Sequence, residues 1–225
     1  QLRNAVTGCR IALDLYLRKC ADSEQDETLQ VANRQLCMIE QYLQSFLENK
    51  AGHFSSFEPV CLNEIVEKLI SLLEPTARHG GVRLINESVE ESLTVEGDAE
   101  SLEQLMSNLV LNAIEATLSV KTGPDSQSPS EAEVRLKLFP SGSESVTLEV
   151  ADTGPGPESA VVNKMFEPLV TAKKDGTGLG LFVAREIVQN HHGRLRWERR
   201  GQHTCFIVEL PVNQVENARV EITNC

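Results

Sequence analysis

Two asparagines in the middle of the chain stand one helical turn apart, a spacing that could serve a metal ion. Asn108 and Asn112 occupy positions i and i+4 of a stretch whose apolar periodicity predicts a helix over 99–120. Side chains at this spacing are neighbours on one helix face, and a carboxamide oxygen is a ligand that Mg²⁺ accepts. Polar residues at the edge of an apolar helix face are common, so the pair alone allows either a magnesium site or an ordinary helix surface.

A carboxylate with glycines behind it follows a predicted strand. Asp152 comes just after the strand that ends at Val150, and the run TGPG continues over 153–156. An ionised carboxylate only accepts hydrogen bonds, so it could bind the exocyclic amine of a purine. Glycines, which lack Cβ atoms, would let the backbone approach the ring closely. The same residue types also form ordinary turns at strand ends, and that alternative stays open.

A glycine-rich run, GTGLGL over 176–181, opens a helix predicted over 177–190. Backbone N–H groups at a helix start, together with the helix dipole, attract phosphates, and Lys173 and Lys174 lie just upstream. The run lacks the Lys-Ser/Thr ending of a Walker A loop. It also follows an irregular stretch rather than a strand, unlike a Rossmann turn. As an isolated motif it could equally be a flexible entry to a helix.

Taken together, these motifs resemble the nucleotide-binding boxes of sensor histidine kinases. NLVLNA (108–113), DTGPG (152–156), FEPL (166–169) and GTGLGL (176–181) are similar, in order and spacing, to the N, G1, F and G2 boxes. The wider GHKL family, with its Bergerat-type ATP-binding fold, includes gyrase, Hsp90 and MutL. The resemblance implies an α/β sandwich that binds ATP and Mg²⁺.

The resemblance also implies roles for individual residues. Asn112 matches the Mg²⁺-binding residue and Asn108 lies near the phosphates, while Asp152 matches the adenine-binding carboxylate, with Gly154 and Gly156 against the purine. Further nucleotide contacts, including two residues of the nucleotide lid at 166 and 173, are implied for Glu115, Phe166, Lys173, Gly176, Thr177, Gly178, Leu179, Gly180, Leu181 and Thr204.

The residue one turn before Asn112 distinguishes kinases from hydrolases in this family. Gyrase-like relatives carry a Glu there, which serves as general base for an attacking water. This chain has Asn108, which cannot take a proton, so the resemblance favours phosphoryl transfer to a nucleophile from elsewhere. The implied catalytic residues are Asn108, Lys173 and Asn4.

The first fifty residues carry a heptad pattern in two stretches, 2–20 and 29–46, separated by the polar segment 22–26. This pattern predicts an antiparallel helical hairpin over 1–52. A second copy would cover its apolar seam in a homodimeric four-helix bundle; an intramolecular bundle is the alternative. The hairpin resembles the dimerisation and histidine-phosphotransfer domain of the same family.

The phosphoacceptor histidine of the family would lie immediately before Gln1, because QLRNA resembles the end of the run H-E-L-R-[TN]-P. Gln1 stands where the family has an acidic base, Ala5 replaces its Pro, and Asn4 matches the residue that orients water in the phosphatase reaction. Since the chain opens without Met inside a helical pattern, we expect it to be a segment of a longer protein.

These resemblances predict the core of a histidine autokinase that passes phosphate from ATP to a histidine and on to a response-regulator receiver domain. The alternative is a non-catalytic ATP-binding dimer, acting as a phosphatase through Asn4 or as a regulator-docking module. A serine-protein kinase with the same ATP-binding fold is a third possibility. It is less favoured because such chains lack a heptad hairpin at this position.

Composition narrows the choice of partners and compartment. With 21 basic and 33 acidic residues the net charge is −12, which argues against a nucleic-acid partner. No apolar run approaches the ~18 residues of a membrane helix, so no membrane contact is expected from this segment. The six cysteines lack metal-ligand spacing and are interpreted as reduced thiols of a cytoplasmic protein. The five histidines are interpreted as solvated or helix-capping residues.

The predicted fold class is therefore α+β, with the hairpin over 1–52, the ATP-binding domain over 53–213 and a tail over 214–225. A linker is predicted at about 51–59. Inside the second domain, three predicted helices (62–78, 99–120, 177–190) accompany a mostly antiparallel sheet with strands at 82–85, 93–95, 134–138, 146–150, 194–197 and 205–210.

Overall fold

The computed structural model describes residues 57–121, 132–173 and 178–212. These residues belong to two compact units, a smaller one that includes 163–183 and a larger one that includes 57–162 and 184–212. The predicted hairpin, the predicted tail and the three site residues Asn4, Gly176 and Thr177 lie outside the described residues.

The larger unit is an α/β sandwich, as predicted. The elements along the described chain are β1 (Glu58–Cys61), α1 (Leu62–His79), β2 (Arg83–Asn86), β3 (Thr94–Gly97), α2 (Ala99–Lys121), β4 (Glu133–Pro140), β5 (Ser145–Asp152), α3 (Gly180–Asn190), β6 (Arg194–Arg200) and β7 (His203–Pro211). The first residues of α3, 180–183, belong to the smaller unit. Within the described chain, no helix combines the length and apolar character needed to cross a bilayer.

One five-stranded sheet supports the larger unit, with the strand order β2-β4-β5-β7-β6. Only the pair β2–β4 is parallel, which confirms the predicted mostly antiparallel sheet. Helices α1 and α2 pack against each other and against β2, β4 and β5. Alternate residues of the predicted β4–β5 hairpin are buried in this core, among them Val134, Leu136 and Leu138 at 0% exposure. The alternation of the two runs around a short turn also predicts that these strands form a β-hairpin, and their antiparallel pairing confirms this.

The apolar periodicity of α2 predicts a buried stripe of seven residues that ends at Ala116, and this stripe is confirmed over most of its length. Six of its seven residues are fully buried, namely Leu102, Leu105, Met106, Leu109, Val110 and Ala113. Ala116, predicted to continue the stripe, is only half-buried. A loop rather than the sheet lies against it, since a Cβ added at Gly154 would stand 2.9 Å from the Ala116 Cβ.

Several predicted boundaries were wrong, among them the end of β6, which was predicted at 197 and lies at Arg200. The linker predicted over 51–59 is too long at its end, because Glu58 and Pro59 belong to β1, which pairs with β3. The sequence of this strand, EPVC, does not alternate between polar and apolar residues, so the pattern typical of a strand is missing. The helix predicted from 177 begins instead at Gly180.

Both cysteines in the described part of the chain, Cys61 and Cys205, are free thiols. Cys205 is buried in β7, and burial raises the pKa of its thiol. It therefore packs as a small apolar residue, as the sequence predicted.

His191 closely follows the end of α3, and of its two predicted roles the helix-capping one is confirmed, whereas the solvated one was wrong. The side chain is 2% exposed and stacks on Phe57 with ring centroids 5.0 Å apart. Nε2 accepts the backbone N–H of Asp98 at 3.1 Å. A neutral ring then carries its proton on Nδ1, which donates to the carbonyl of Ile187 at 2.8 Å. The imidazole thus links the end of α3 to Asp98, whose carboxylate accepts the Glu100 N–H in the first turn of α2.

We expect His191 to make the protein less stable below about pH 6.5, the ordinary pKa of histidine in the unfolded chain. Burial lowers the pKa of this imidazole in the folded state, although the nearby Asp98 opposes the shift. The unfolded chain then binds a proton that the folded chain does not. The free energy of unfolding therefore decreases as the pH is lowered, by up to about 1.4 kcal/mol per pH unit. Urea unfolding at pH 7.5 and 5.5 measures this loss.

The matched variants for this prediction are His191→Gln and His192→Gln. His192 is the adjacent, exposed histidine. Between the two pH values, wild type and His192→Gln should lose more stability than His191→Gln. An equal loss in all three proteins would contradict the assignment to His191.

Candidate nucleotide-binding site

The candidate site is built around the end of β5. Asp152, its last residue, is only 1% exposed and lies opposite Thr204 of β7, which is 2% exposed. Directly opposite residues of neighbouring strands place their side chains on the same face of a sheet. One carboxylate oxygen of Asp152 accepts the backbone N–H of Gly154 at 2.8 Å. A hydrogen-bond acceptor is therefore held in the interior at the point where the strand becomes a loop.

Gly154 is required by the contact between this loop and α2. A Cβ built at Gly154 would lie 2.6 Å from Oδ1 of Asp152 and 2.8 Å from the carbonyl carbon of Ala116. The neighbours that exclude a side chain at Gly154 are protein atoms, and the close approach of a purine ring stays a prediction. Gly156 differs, since its φ of +79° is one that residues with a Cβ rarely adopt.

The contact with Ala116 places the loop next to the asparagine row of α2. Asn108, Asn112 and Ala116 follow one another at four-residue intervals, about 6 Å of helix rise each. Both asparagines are half-buried, and Glu115 is exposed. The structure thus brings the predicted metal-binding residues and Asp152 to one region of the larger unit.

The donor set of this region fits the chemistry of a hard cation and a purine nucleotide. Carboxamide oxygens on α2 suit Mg²⁺, and the buried carboxylate of Asp152 suits a base amine. In residues 57–121, 132–173 and 178–212, no group of three or more His, Cys, Asp and Glu side chains is placed to hold a metal ion.

Thr153 connects the loop to the start of β4. Its N–H donates to the carbonyl of Glu133 at 3.2 Å, and its hydroxyl accepts the Glu133 N–H at 3.2 Å. The Glu133 carboxylate accepts hydrogen bonds from Arg83 at 2.8 Å and from Nε of Arg135 at 2.7 Å. Burial would raise the pKa of Glu133, but these bonds outweigh it and lower the pKa. Glu133 therefore stays ionised at neutral pH.

Arg199 connects the same loop to β6, a strand at the edge of the sheet. Sequence reasoning missed this residue. Its Nη1 donates to the carbonyl of Gly154 at 2.7 Å and to the hydroxyl of Thr204 at 2.6 Å. Arg199 is one of three arginines in the run RWERR, and nothing in that run distinguishes it. Only the pairing of β6 with β7 reveals that it lies opposite Thr204.

In the smaller unit, Gly178 lies against the backbone of the F-box run. Leu169 donates its N–H to the Gly178 carbonyl at 3.0 Å. A Cβ at Gly178 would meet backbone atoms of Leu169 and Val170 at 2.6 Å, and the φ of Gly178 is +66°. A side chain at Gly180, by contrast, would meet nothing within 4 Å. Gly178 is thus required by its own unit, whereas Gly180 leaves space beside the backbone.

The predicted site residues therefore divide between the two units. The larger unit contains Asn108, Asn112, Glu115, Asp152, Gly154, Gly156 and Thr204. The smaller unit contains Phe166, Lys173, Gly178, Leu179, Gly180 and Leu181. Lys173 is exposed, Phe166 and Leu181 are half-buried, and Leu179 is buried.

Residues 97–214 match the family model described as histidine kinase-, DNA gyrase B- and HSP90-like ATPase. The match spans more than half of the chain and contains all of the predicted nucleotide-binding residues. The chain therefore belongs to this family of ATPases.

Its curated relatives include bacterial sensor kinases. The chain is 26% identical over 221 residues to the signal transduction histidine-protein kinase AtoS of Escherichia coli (strain K12), an alignment that covers 98% of this chain and 34% of AtoS. It is 32% identical over 183 residues to the C4-dicarboxylate transport sensor protein DctS of Rhodobacter capsulatus, covering 80% of this chain and 26% of DctS. The chain thus spans about a third or less of the length of these relatives.

Among solved structures, the nucleotide-free catalytic domain of the histidine kinase ThkA is 31% identical, with a TM-score of 0.61 over 71% of this chain and 97% of that domain. ThkA in complex with the response regulator protein TrrA covers 94% of this chain and 60% of that chain, with 22% identity and a TM-score of 0.57. The second likeness concerns the fold alone.

Proposed function

We propose that this chain is the ATP-binding core of a histidine autokinase in a two-component signalling system. It would bind Mg²⁺–ATP, transfer the γ-phosphoryl group to a histidine, and pass it to an aspartate of a response-regulator receiver domain. Membership in the ATPase family and the similarity to AtoS and DctS support this reading.

The observation that carries the proposal is the carboxamide of Asn108, one turn before Asn112 on the half-buried row of α2. A carboxylate there could deprotonate a water, whereas a carboxamide cannot. The row therefore suits phosphoryl transfer to a histidine nitrogen, which needs no base to become nucleophilic in its neutral form. Bound Mg²⁺ would supply charge neutralisation on the phosphates.

Different residues of the chain contact different parts of the nucleotide in this proposal. Asp152 accepts the adenine amine, Thr204 lies beside it, and Gly154 and Gly156 form the wall of the base pocket. Asn112 binds Mg²⁺ through its carboxamide oxygen. The remaining contacts, to the phosphates and the lid, come from Asn108, Glu115, Phe166, Lys173, Gly176, Thr177, Gly178, Leu179, Gly180 and Leu181.

We further propose the domain organisation that the sequence predicts: a dimerising histidine-phosphotransfer hairpin over 1–52, the ATP-binding domain over 53–213 and a tail over 214–225. Partners would be a second copy of the chain and a receiver domain. The solved complex of ThkA with its response regulator supports the second partner by analogy.

Incubation with γ-labelled ATP and MgCl₂ tests the function, using the polypeptide extended upstream of Gln1 by several helical turns. We expect protein-bound label that is lost in acid and retained in alkali, since a phosphorus–nitrogen bond is acid-labile. Asn112→Ala should lower the rate of labelling by about 100-fold, because electrostatic stabilisation by the ion is a large share of phosphoryl-transfer catalysis.

The other readings give different products in the same assay. Acid-stable label would indicate a serine kinase, and release of inorganic phosphate without label would indicate a hydrolase. ATP binding without either product would favour the non-catalytic dimer. Ser107→Ala, adjacent to Asn108 on α2, is the matched control and should label at the wild-type rate.

A further inference from the structure

We propose that Arg199 is a positioning residue for the base-binding loop, acting through Gly154 and Thr204 rather than by touching the phosphates. The inference rests on the proposed function in one respect: the loop that follows β5 must be the place where the purine binds. Neither the motifs of the sequence nor the family resemblance assigns a role to this arginine.

Three strands place Arg199 in one row with the base-binding carboxylate. Asp152 of β5 lies opposite Thr204 of β7, which lies opposite Arg199 of β6. Residues paired in this way share one face of the sheet. Arg199 is exposed, while Asp152 and Thr204 are buried. The guanidinium therefore covers the outer end of a buried polar row.

Arg199 and Asp152 each form a hydrogen bond with the backbone of Gly154. The Gly154 N–H donates to the Asp152 carboxylate at 2.8 Å, and the Gly154 carbonyl accepts from Arg199 at 2.7 Å. The peptide groups on either side of Gly154 cannot then rotate without breaking a hydrogen bond to a charged group. Such a bond contributes about 1.5–3 kcal/mol to stability. The same bonds fix the rotamer of the Asp152 carboxylate that would accept the adenine amine.

Arg199 also determines whether the Thr204 hydroxyl donates or accepts hydrogen bonds. A guanidinium only donates, so the 2.6 Å bond makes the Thr204 oxygen an acceptor and leaves the hydroxyl proton for another partner. A Cβ at Gly156 would lie 3.2 Å from this oxygen, so the hydroxyl borders the backbone of the loop. A ring nitrogen of a purine is an acceptor that such a hydroxyl can bind.

The other arginines nearby on β6 make a different kind of contact. Arg200 donates to Glu149 at 2.7 Å, and Arg196 donates to Glu198 at 3.0 Å. Both hydrogen bonds of Arg199 go instead to the Gly154 carbonyl and the Thr204 hydroxyl. Adjacent strand residues face opposite sides of a sheet, so Arg200 is a matched control of the same residue type.

The experiment compares Arg199→Met with Arg200→Met by calorimetric titration of ADP with EDTA present and of ATP with MgCl₂. We expect Arg199→Met to bind both nucleotides about tenfold more weakly, because the base-binding loop and Thr204 lose the two hydrogen bonds that position them. Arg200→Met should stay within twofold of wild type. In the autophosphorylation assay, the KM for ATP should rise about tenfold for Arg199→Met while kcat stays within twofold.

If Arg199→Met does not fold, Arg199→Lys tests the positioning role of Arg199 instead. Lysine keeps the charge but lacks the planar fork, so we expect an affinity loss of about threefold. Wild-type affinity in whichever variant folds, or a fall in kcat with unchanged KM, would overturn the role of Arg199. Failure of the wild-type chain to bind ADP would instead overturn the proposed function itself, so the two failures are distinguishable.

Discussion

Asp152→Asn is expected to lower the affinity for ATP and ADP by about 100-fold, the largest loss from any single polar substitution at the site. The carboxylate is 1% exposed and already accepts the Gly154 N–H. An amide must turn its NH₂ either toward that N–H or toward the amine of the base, so one pair of donors would face each other in the interior. An unsatisfied buried donor costs about 1–3 kcal/mol in addition to the lost charge-assisted bond. Calorimetric titration with ADP measures the effect.

Glu149→Gln provides the matched control for this substitution. Glu149 lies on the same strand. Its carboxylate accepts a hydrogen bond from Arg200 of β6 at 2.7 Å, away from the loop. Its conversion to an amide should leave nucleotide affinity within twofold of wild type. Equal affinities of Asp152→Asn and wild type, with both proteins folded, would show that the base does not bind at this carboxylate.

The long periodic elements were predictable because their evidence is local. Six buried residues at helical spacing determine α2, and two alternating runs around a short turn determine the hairpin of β4 and β5. The glycine and aspartate motifs were predictable for a related reason. Their residue types and spacing match those of a family of ATPases, and this match does not depend on how the strands are ordered.

Arg199 and His191 were not predictable because their roles arise from residues distant in sequence. The role of Arg199 depends on the pairing of β6 with β7 and of β7 with β5. His191 is buried because its ring accepts a hydrogen bond from Asp98, 93 positions earlier. Neither an arginine in a basic run nor a histidine at a helix end differs, by sequence alone, from a solvated one.

Gly154 is required in the structure for a reason that the sequence argument did not include. The sequence argument required a glycine so that a purine could approach the backbone. The structure adds an intramolecular reason, since the carbonyl carbon of Ala116 would be 2.8 Å from a Cβ at this position. The contact between this loop and α2 therefore requires glycine here, whether or not a purine also approaches the backbone.

Gly154→Ala is accordingly expected to weaken ADP binding by about 100-fold and to lower the free energy of unfolding by about 1–3 kcal/mol. The added methyl would overlap the Asp152 carboxylate oxygen at 2.6 Å and the backbone of Ala116. Helix α2 cannot yield, because Leu109, Val110 and Ala113 are fully buried beneath it. The loop must move instead and take the carboxylate with it. Titration with ADP and urea unfolding of the same sample separate the two effects.

Gly97→Ala separates a loss of stability from damage to the base pocket. A Cβ at Gly97 would lie 2.8 Å from side-chain atoms of both His191 and Leu102, so this substitution also forces neighbouring atoms to shift. Leu102 precedes Ala116 by about 21 Å of helix rise, so the strain arises at the opposite end of α2. We therefore expect Gly97→Ala to be destabilised to a similar degree and yet to bind ADP like wild type. Weak binding in both variants would mean that affinity follows overall stability, and the loop beside Ala116 would then have no special part in holding the base.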